Sequence, residues 1–321
     1  MSGLYPFLMR PEFVERPWGA RDLSPIYPAH VCEKPVGEVW LTGDENRVAN
    51  GPLAGRTLGE LCRQYGRALV GESARETERF PLLVKFLFAR EKLSVQVHPD
   101  DEAARRAGLP CGKTECWYVL AADLGAQVAL GLKPGTTREQ LTQAIREVRA
   151  EELLNWVDIH TGEMIYVDAG TVHTIGPGAV LLETQQNSDT TYRLYDYGRP
   201  RETHVEQGLA AAKERTRAGK VKREAGATAL VESPSFIVEK FRFAEARCFE
   251  AAHSPQIFVA LEGSGVAESQ GSTPVSFARG DALVVPAAVA LVGIRPGVES
   301  QILRATLPGV AVREPETMLE T

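Results

Sequence analysis

Residues 162–173 read Gly162-Glu163-Met164-Ile165-Tyr166-Val167-Asp168-Ala169-Gly170-Thr171-Val172-His173. An extended apolar run, a tight turn at Asp168-x-Gly170 and a return strand follow one another, with His173 just past the turn. The same texture extends on both sides. Pro81 to Ala89, Gln127 to Leu132 and Ala179 to Thr184 are short strand-forming runs separated by Gly, Pro, Asp and Asn turns. Helical periodicity is confined to Leu58–Val70, Asp100–Ala107, Arg138–Arg149 with its continuation to Trp156, and His204–Lys213. A mainly β chain is expected, a barrel or sandwich with a few short helices decorating its N-terminal part.

From Lys213 to Ala227 the chain turns charged and rich in small residues, as a connecting segment does. Beyond it, Phe236–Phe243, Gln256–Leu261, Val275–Phe277, Ala282–Val285 and Ala290–Ile294 supply a second set of strands. The expected division is residues 1–216, a linker at 217–228, and a second all-β domain at 229–321. Gly162-x5-Asp168-x-Gly170-x2-His173 aligns with Gly280-x5-Pro286-x-Ala288-x2-Leu291. Both resemble the second motif of cupins, jelly-roll barrels with the pattern Gly-x5-Pro-x-Gly-x2-His. The resemblance implies two cupin-type jelly-roll β-barrels. The first copy departs at Asp168 but keeps its histidine. The second keeps the proline and has Leu291 at the ligand position, and a leucine binds no metal. Chemistry is therefore expected in the first barrel alone.

Two further strands point to the same place. In Leu93-Ser94-Val95-Gln96-Val97-His98-Pro99 the side chains alternate, so Ser94, Gln96 and His98 share one face opposite Leu93, Val95 and Val97. In Gly112-Lys113-Thr114-Glu115-Cys116-Trp117-Tyr118-Val119-Leu120, Lys113 and Glu115 again share a face. Gln96, His98, Glu115 and His173 together offer an amide oxygen, two imidazoles and a carboxylate, a set suited to a divalent transition metal, most simply zinc. Cys111 and Cys116 raise a thiolate alternative, but no second cysteine pair completes it. His30, His160, His204 and His253 lack such neighbours, and Trp18, Trp40, Trp117 and Trp156 read as core packing.

Composition sets the outer limits. With 321 residues, 44% apolar and 24% charged, the chain is long enough for two domains and ordinary for a globular protein. A net charge of −6 gives no global field for nucleic acid, so an anionic substrate needs local cations. The five scattered cysteines argue against a disulfide framework and for a reducing compartment. No apolar run reaches membrane-spanning length and Met1–Arg10 lacks a secretory pattern, so a cytoplasmic protein without membrane partners is expected.

Ser94-x-Gln96-x-His98-Pro99, Gly112-Lys113-Thr114-Glu115-Cys116-Trp117-Tyr118 and the run Glu183 to Arg193 together resemble the type I mannose-6-phosphate isomerases of the short bacterial kind. Arg16-Pro17-Trp18-Gly19 and Gly37-Glu38-Val39-Trp40 extend the resemblance, although relatives tend to carry serine where Val39 stands. It implies interconversion of mannose 6-phosphate and fructose 6-phosphate with one zinc ion per chain, held by Gln96, His98, Glu115 and His173. Ser94, Lys85 and Lys113 fall at positions implicated in substrate or phosphate binding, Arg193 at the active-site arginine and Glu183 at an acidic pocket residue. The catalytic set expected on this basis is Arg193, Lys113 and Glu183, with Ser94 and Lys85 binding substrate. Such an exchange runs through an enediolate and needs a polarising centre and a base, for which both Lys113 and Glu183 qualify. Competing readings are a ferrous oxygenase, a sugar-phosphate-binding cupin without turnover, and an isomerase of a related aldose.

Overall fold

The computed structural model describes residues 3–222, 226–309 and 315–318. Its strands form four antiparallel sheets, stacked in two pairs. In the first pair an eight-stranded sheet runs, in spatial order, Glu12–Ala20, Val36–Trp40, Leu82–Ala89, Ala179–Gln186, Glu115–Ala122, Met164–Val167, Gly219–Val221 and Thr317–Met318. It packs on a five-stranded sheet of Tyr192–Tyr195, Val95–Val97, His173–Ile175, Gln127–Leu132 and Leu154–Asp158. The second pair joins a six-stranded sheet, which includes Gln256–Glu262, Ser300–Thr306 and Ile237–Phe243, to a four-stranded one built around Leu291–Pro296. The fold is mainly β, two cupin-type barrels with a few short helices.

Alternation explains how the layers stack. Leu82, Val84, Phe86 and Phe88 belong to one apolar cluster with Val238, Ile257, Val259 and Leu303, so the eight- and six-stranded sheets meet back to back. Leu87 and Ala89, from the other face of the same strand, join Trp117, Val128 and Leu181 inside the first barrel. Leu82–Ala89 is therefore buried along its whole length, as expected of a strand covered on both faces. Its single charge, Lys85, alternates onto the barrel-interior face.

The second barrel is filled instead. Phe241, Phe249, Phe258 and Phe277 occupy its interior, and the void beside Phe258, Phe277 and Ile302 measures only about 10 Å³. No ligand of ordinary size fits there.

Several elements differ from the sequence expectation. The helix expected over 58–70 is two, Leu58–Tyr65 and Arg67–Val70, because Gly66 between them takes φ +49°. The helix over Arg138–Arg146 ends well before Trp156, and Leu154–Asp158 becomes a strand because it pairs with Gln127–Leu132. Within the stretch expected to be a linker, Gly219–Val221 is a strand pairing with Met164–Val167 and Thr317–Met318; residues 223–225 of that stretch lie outside the described residues. Its lysines read as linker composition but belong to a sheet margin, where Lys220 meets Glu163 at 3.0 Å and Lys222 meets Glu316 at 3.6 Å. Phe7–Leu8, near the start of the chain, pairs with Ala282–Val285 in the second half, while Thr317–Met318 pairs in the first. Strands near the two ends thus cross between the halves. Among the described residues no helix is long and apolar enough to cross a membrane.

Candidate active site

Cross-strand register builds the site as two facing rows. In the five-stranded sheet Gln96 lies directly between His173 on one neighbour and Arg193 on the other. In the eight-stranded sheet Glu183 lies directly between Lys85 and Trp117. Neighbours in such a row have side chains about 5 Å apart, close enough to act on one another. Gln96 and Arg193 of the first row and all of the second line a pocket of about 410 Å³ that also takes in Ser94, Lys113 and Glu115, with His98 and His173 adjoining it through Glu115. All nine residues expected at the site from sequence are therefore in one neighbourhood.

At its floor the ligand atoms of His98, Glu115 and His173 all lie within 4.8 Å of one another, and all three residues are buried. Glu115 places Oε2 3.5 Å from His98 Nε2 and Oε1 3.4 Å from His173 Nε2. Each imidazole is oriented from behind, His98 Nδ1 at 2.9 Å from the Thr190 carbonyl and His173 Nδ1 at 2.9 Å from the Thr171 carbonyl. A ring that donates from Nδ1 keeps a lone pair on Nε2, the arrangement a metal ligand requires. Burial holds His98 well below the ordinary histidine range and His173 at about 4, so both are neutral at physiological pH. Glu115 Oε1 is buried with no hydrogen-bond partner, an expense that a bound cation removes. Burial lifts the Glu115 carboxyl to about 8 even though Lys113 beside it pulls the other way. A metal-loaded site must therefore displace its proton, and affinity for the ion rises with pH.

The residues present fit a divalent metal. Gln96 stands next to this cluster with Nε2 3.2 Å from His173 Nε2, while its Oε1 accepts from Ser94 Oγ at 3.0 Å. The fourth expected ligand would join only after a half-turn of the amide, which brings Oε1 to the cluster and leaves Ser94 Oγ as acceptor. The thiolate alternative does not hold. Cys111 donates to the Asn187 carbonyl at 3.5 Å, burial raises both the Cys111 and Cys116 thiols, and the metal-ligand cluster of the described residues contains no sulfur.

Above the floor are two buried ion pairs. Lys113 Nζ donates to Glu115 Oε2 at 2.7 Å and lies 3.0 Å from His98 Nε2. Lys85 Nζ lies 3.0 Å from Glu183 Oε2 and 3.8 Å from Glu38 Oε2. Burial alone would drive Lys85 down, but Glu183 and Glu38 outweigh it and hold the lysine charged. Burial likewise would raise Glu183, yet Lys85 and then Lys113 bring it down to about 2. Trp117 Nε1 donates to Glu183 Oε1 at 2.9 Å, so a side chain expected to be only core also orients a pocket carboxylate. Arg193 is half-buried, with Nη1 on the Glu202 carbonyl at 2.7 Å and a buried Nε that has no partner.

Sequence reasoning assigned no role to Arg16, Glu38, Asp189 and Arg201, which line the same pocket. For Arg16 and Glu38 a signal existed, since both lie in segments that carry the family resemblance. Asp189 lies in such a segment too, within Glu183 to Arg193; for Arg201 none stands out, because a lone charge in a loop reads as solvated.

Comparison with known proteins agrees with this geometry. The family described as phosphomannose isomerase type I, catalytic domain, matches residues 11–121. The mannose-6-phosphate isomerase ManA of Bacillus subtilis (strain 168) is 36% identical over 298 residues, spanning 88% of this chain and 93% of that relative. A crystal structure of the mannose 6-phosphate isomerase from Bacillus subtilis superposes with a TM-score of 0.82 at 32% identity, over 94% of this chain and 99% of that one. A zinc-bound mannose 6-phosphate isomerase shares the fold at a TM-score of 0.75 and 17% identity, over 94% and 99% of the two chains. Identity of this extent over nearly the whole length of a relative, with a matching overall fold, places the chain in the type I mannose-6-phosphate isomerase family.

Proposed function

We propose that this chain interconverts mannose 6-phosphate and fructose 6-phosphate with one zinc ion, held by Gln96, His98, Glu115 and His173. The observation that carries this reading is the buried carboxylate of Glu115 between two neutral imidazoles, in a pocket that also holds Lys85, Lys113, Glu183 and Arg193. Charge supports it too. Five basic residues and five carboxylates line the pocket, so a divalent ion leaves a positive excess that balances the charge of a sugar phosphate, about −1.5 to −2. When bound, zinc supplies Lewis acidity toward the two substrate oxygens at C1 and C2.

The remaining work falls to the chain's own groups. Aldose–ketose exchange moves a proton between adjacent carbons, and one group must accept it from C2 and return it to C1. Lys113 is the better candidate of the two, acting in its neutral form, which the engagement of its carboxylate partner Glu115 by a bound cation would favour. Glu183, held near 2 by Lys85 and tied by Trp117, is a weak base whose fixed charge instead orients substrate hydroxyls and anchors Lys85. Lys113 stands among the residues that bind the ion, at the end of the pocket where the reacting carbons belong. Arg193, with an uncommitted Nε in the pocket wall, donates to the oxyanion or to the phosphate.

Under this reading residues 1–216 carry the chemistry and most of 229–321 forms a barrel without metal, with Leu291 aligned at the ligand position; within the expected connector 217–228, Gly219–Val221 belongs to the first barrel's sheet. The partner is a small sugar phosphate in the cytoplasm, a compartment that the scattered free cysteines support. The reading is tested by isomerisation of mannose 6-phosphate in heavy water. Deuterium entering the fructose 6-phosphate at C1 is the expected result. No product from folded, zinc-loaded protein counts against it, whereas product with complete retention of the original hydrogen points to a hydride shift or to a proton carrier closed to solvent.

A further inference from the structure

Of the three cations expected from sequence to meet a substrate phosphate, Arg193, Lys85 and Lys113, the structure commits the two lysines elsewhere. Lys113 sits 2.7 Å from Glu115 and Lys85 sits 3.0 Å from Glu183, so each charge is matched by a buried carboxylate. In an open-chain hexose 6-phosphate the phosphate hangs from the far end of the carbon chain, away from the C1–C2 pair that reacts. The groups that grip it belong on another part of the pocket wall.

Arg16, Arg193 and Arg201 line the same pocket close together, the charges of Arg201 and Arg16 both acting on Arg193. Arg16 arrives there through a specific local construction. Val36 pairs with both Glu15 and Ala20, so residues 16–19 are extra in the ladder between Glu12–Ala20 and Val36–Trp40. Such a bulge re-aims side chains. Glycines on both strands make room for it: a Cβ on Gly37 would lie 2.5 Å from Arg16 Cβ, and one on Gly19 would lie 2.4 Å from the Val36 carbonyl carbon.

Glu38 then fixes the guanidinium. It accepts from Arg16 Nε at 3.1 Å and Nη2 at 3.0 Å, and is itself held by Trp40 Nε1 at 2.6 Å. The grip is two-point, leaving Nη1 with a long hydrogen bond of 3.5 Å to the Glu15 carbonyl. Arg201 is built alike, with Nε and Nη2 each 2.6 Å from the carboxylate of buried Asp196. Arg193 adds its buried, unpartnered Nε. Two arginines braced from behind by carboxylates, and a third with an idle donor, make a wall suited to a tetrahedral dianion.

We infer that Arg16, aimed by the bulge at 16–19 and clamped by Glu38, is the residue that selects the substrate's phosphate group, with Arg193 and Arg201 completing the anion site. The inference rests on the isomerase reading for the identity of the substrate. Arg16 touches the phosphate, and Glu38 acts through Arg16 as a positioning residue.

The test compares zinc-loaded wild type with R16A, R16K and E38Q in two assays. One is calorimetric titration with glucitol 6-phosphate, an open-chain hexitol phosphate that cannot isomerise. The other is steady-state turnover of mannose 6-phosphate. R16A is expected to weaken hexitol-phosphate binding about 10- to 100-fold, the range for a hydrogen bond to a charged group. KM should rise by a similar factor, with a smaller change in kcat. R16K should fall between R16A and wild type, because an ammonium cannot hold Glu38 at two points and still present a free edge. E38Q should raise KM by less than R16A does. Wild-type binding and KM in R16A, or in R16K where R16A fails to fold, overturns the inference. Arg16-dependent binding without any turnover by the wild type keeps the anion site and overturns the isomerase reading instead.

Discussion

Replacing His173 with alanine is expected to cost more than about 100-fold in zinc affinity and to remove isomerase activity with it, since even groups that only orient a ligand account for 10- to 100-fold. The physical reason lies in the neighbours. His173 Nε2 is 3.4 Å from Glu115 Oε1, which has no hydrogen-bond partner of its own, and the imidazole is already neutral and already oriented by the Thr171 carbonyl. Removing it leaves a carboxylate that burial pushes to about 8 and that takes up a proton in preference to a cation. Zinc content by elemental analysis and turnover by coupled assay give the two readings. A variant that keeps a full complement of zinc would show that His173 is not a ligand.

Lys113→Met is expected to lower kcat by about 10²- to 10⁴-fold while zinc stays bound, the loss typical of a group that transfers a proton. Methionine approximates the length of the lysine stem, so the pocket keeps its shape and only the charge and the proton carrier are lost. Glu183→Gln is expected to reduce turnover less and stability more. It deprives buried Lys85 of the carboxylate 3.0 Å away, and breaking a buried pair from one side costs roughly 3 kcal/mol. The same pair gives a pH dependence. Glu183 is held near 2, below its unfolded value, so the stability it contributes is complete above the unfolded carboxylate range, about 4.3, and is lost as pH falls toward 2. Solvent exchange at C1 and C2, followed by proton magnetic resonance, separates the two variants. Undiminished exchange in K113M would move the proton transfer to Glu183 or to another group.

How far these residues were legible in the sequence depended on the kind of signal each left. Ser94, Gln96 and His98 were readable because a strand's period of two puts them on one face within five residues. His173 was readable from a turn pattern, and the missing histidine at Leu291 from the same comparison. Lys85 and Glu183 were each suspected, but nothing in the sequence says that they face one another. Their pairing depends on the register between strands nearly a hundred residues apart, which only the folded sheet defines.

Arg16 illustrates the same limit more sharply. Its position in the pocket depends on a bulge whose existence shows only when Val36 is found opposite both Glu15 and Ala20. Phe7–Leu8 and Thr317–Met318 are too short to show any periodicity, so the crossing of end strands between the halves left no trace in the chain. Gly219–Val221 was hidden by its flanking lysines, which are ordinary for a strand at a sheet margin and equally ordinary for a linker.

The most direct measurement is isomerisation of mannose 6-phosphate by the chelator-stripped protein, before and after one equivalent of zinc is restored. The site of His98, Glu115 and His173 predicts negligible turnover when stripped and recovery of activity when zinc returns. Full turnover by protein shown to contain no metal, or none by folded protein shown to contain one zinc per chain, would contradict it.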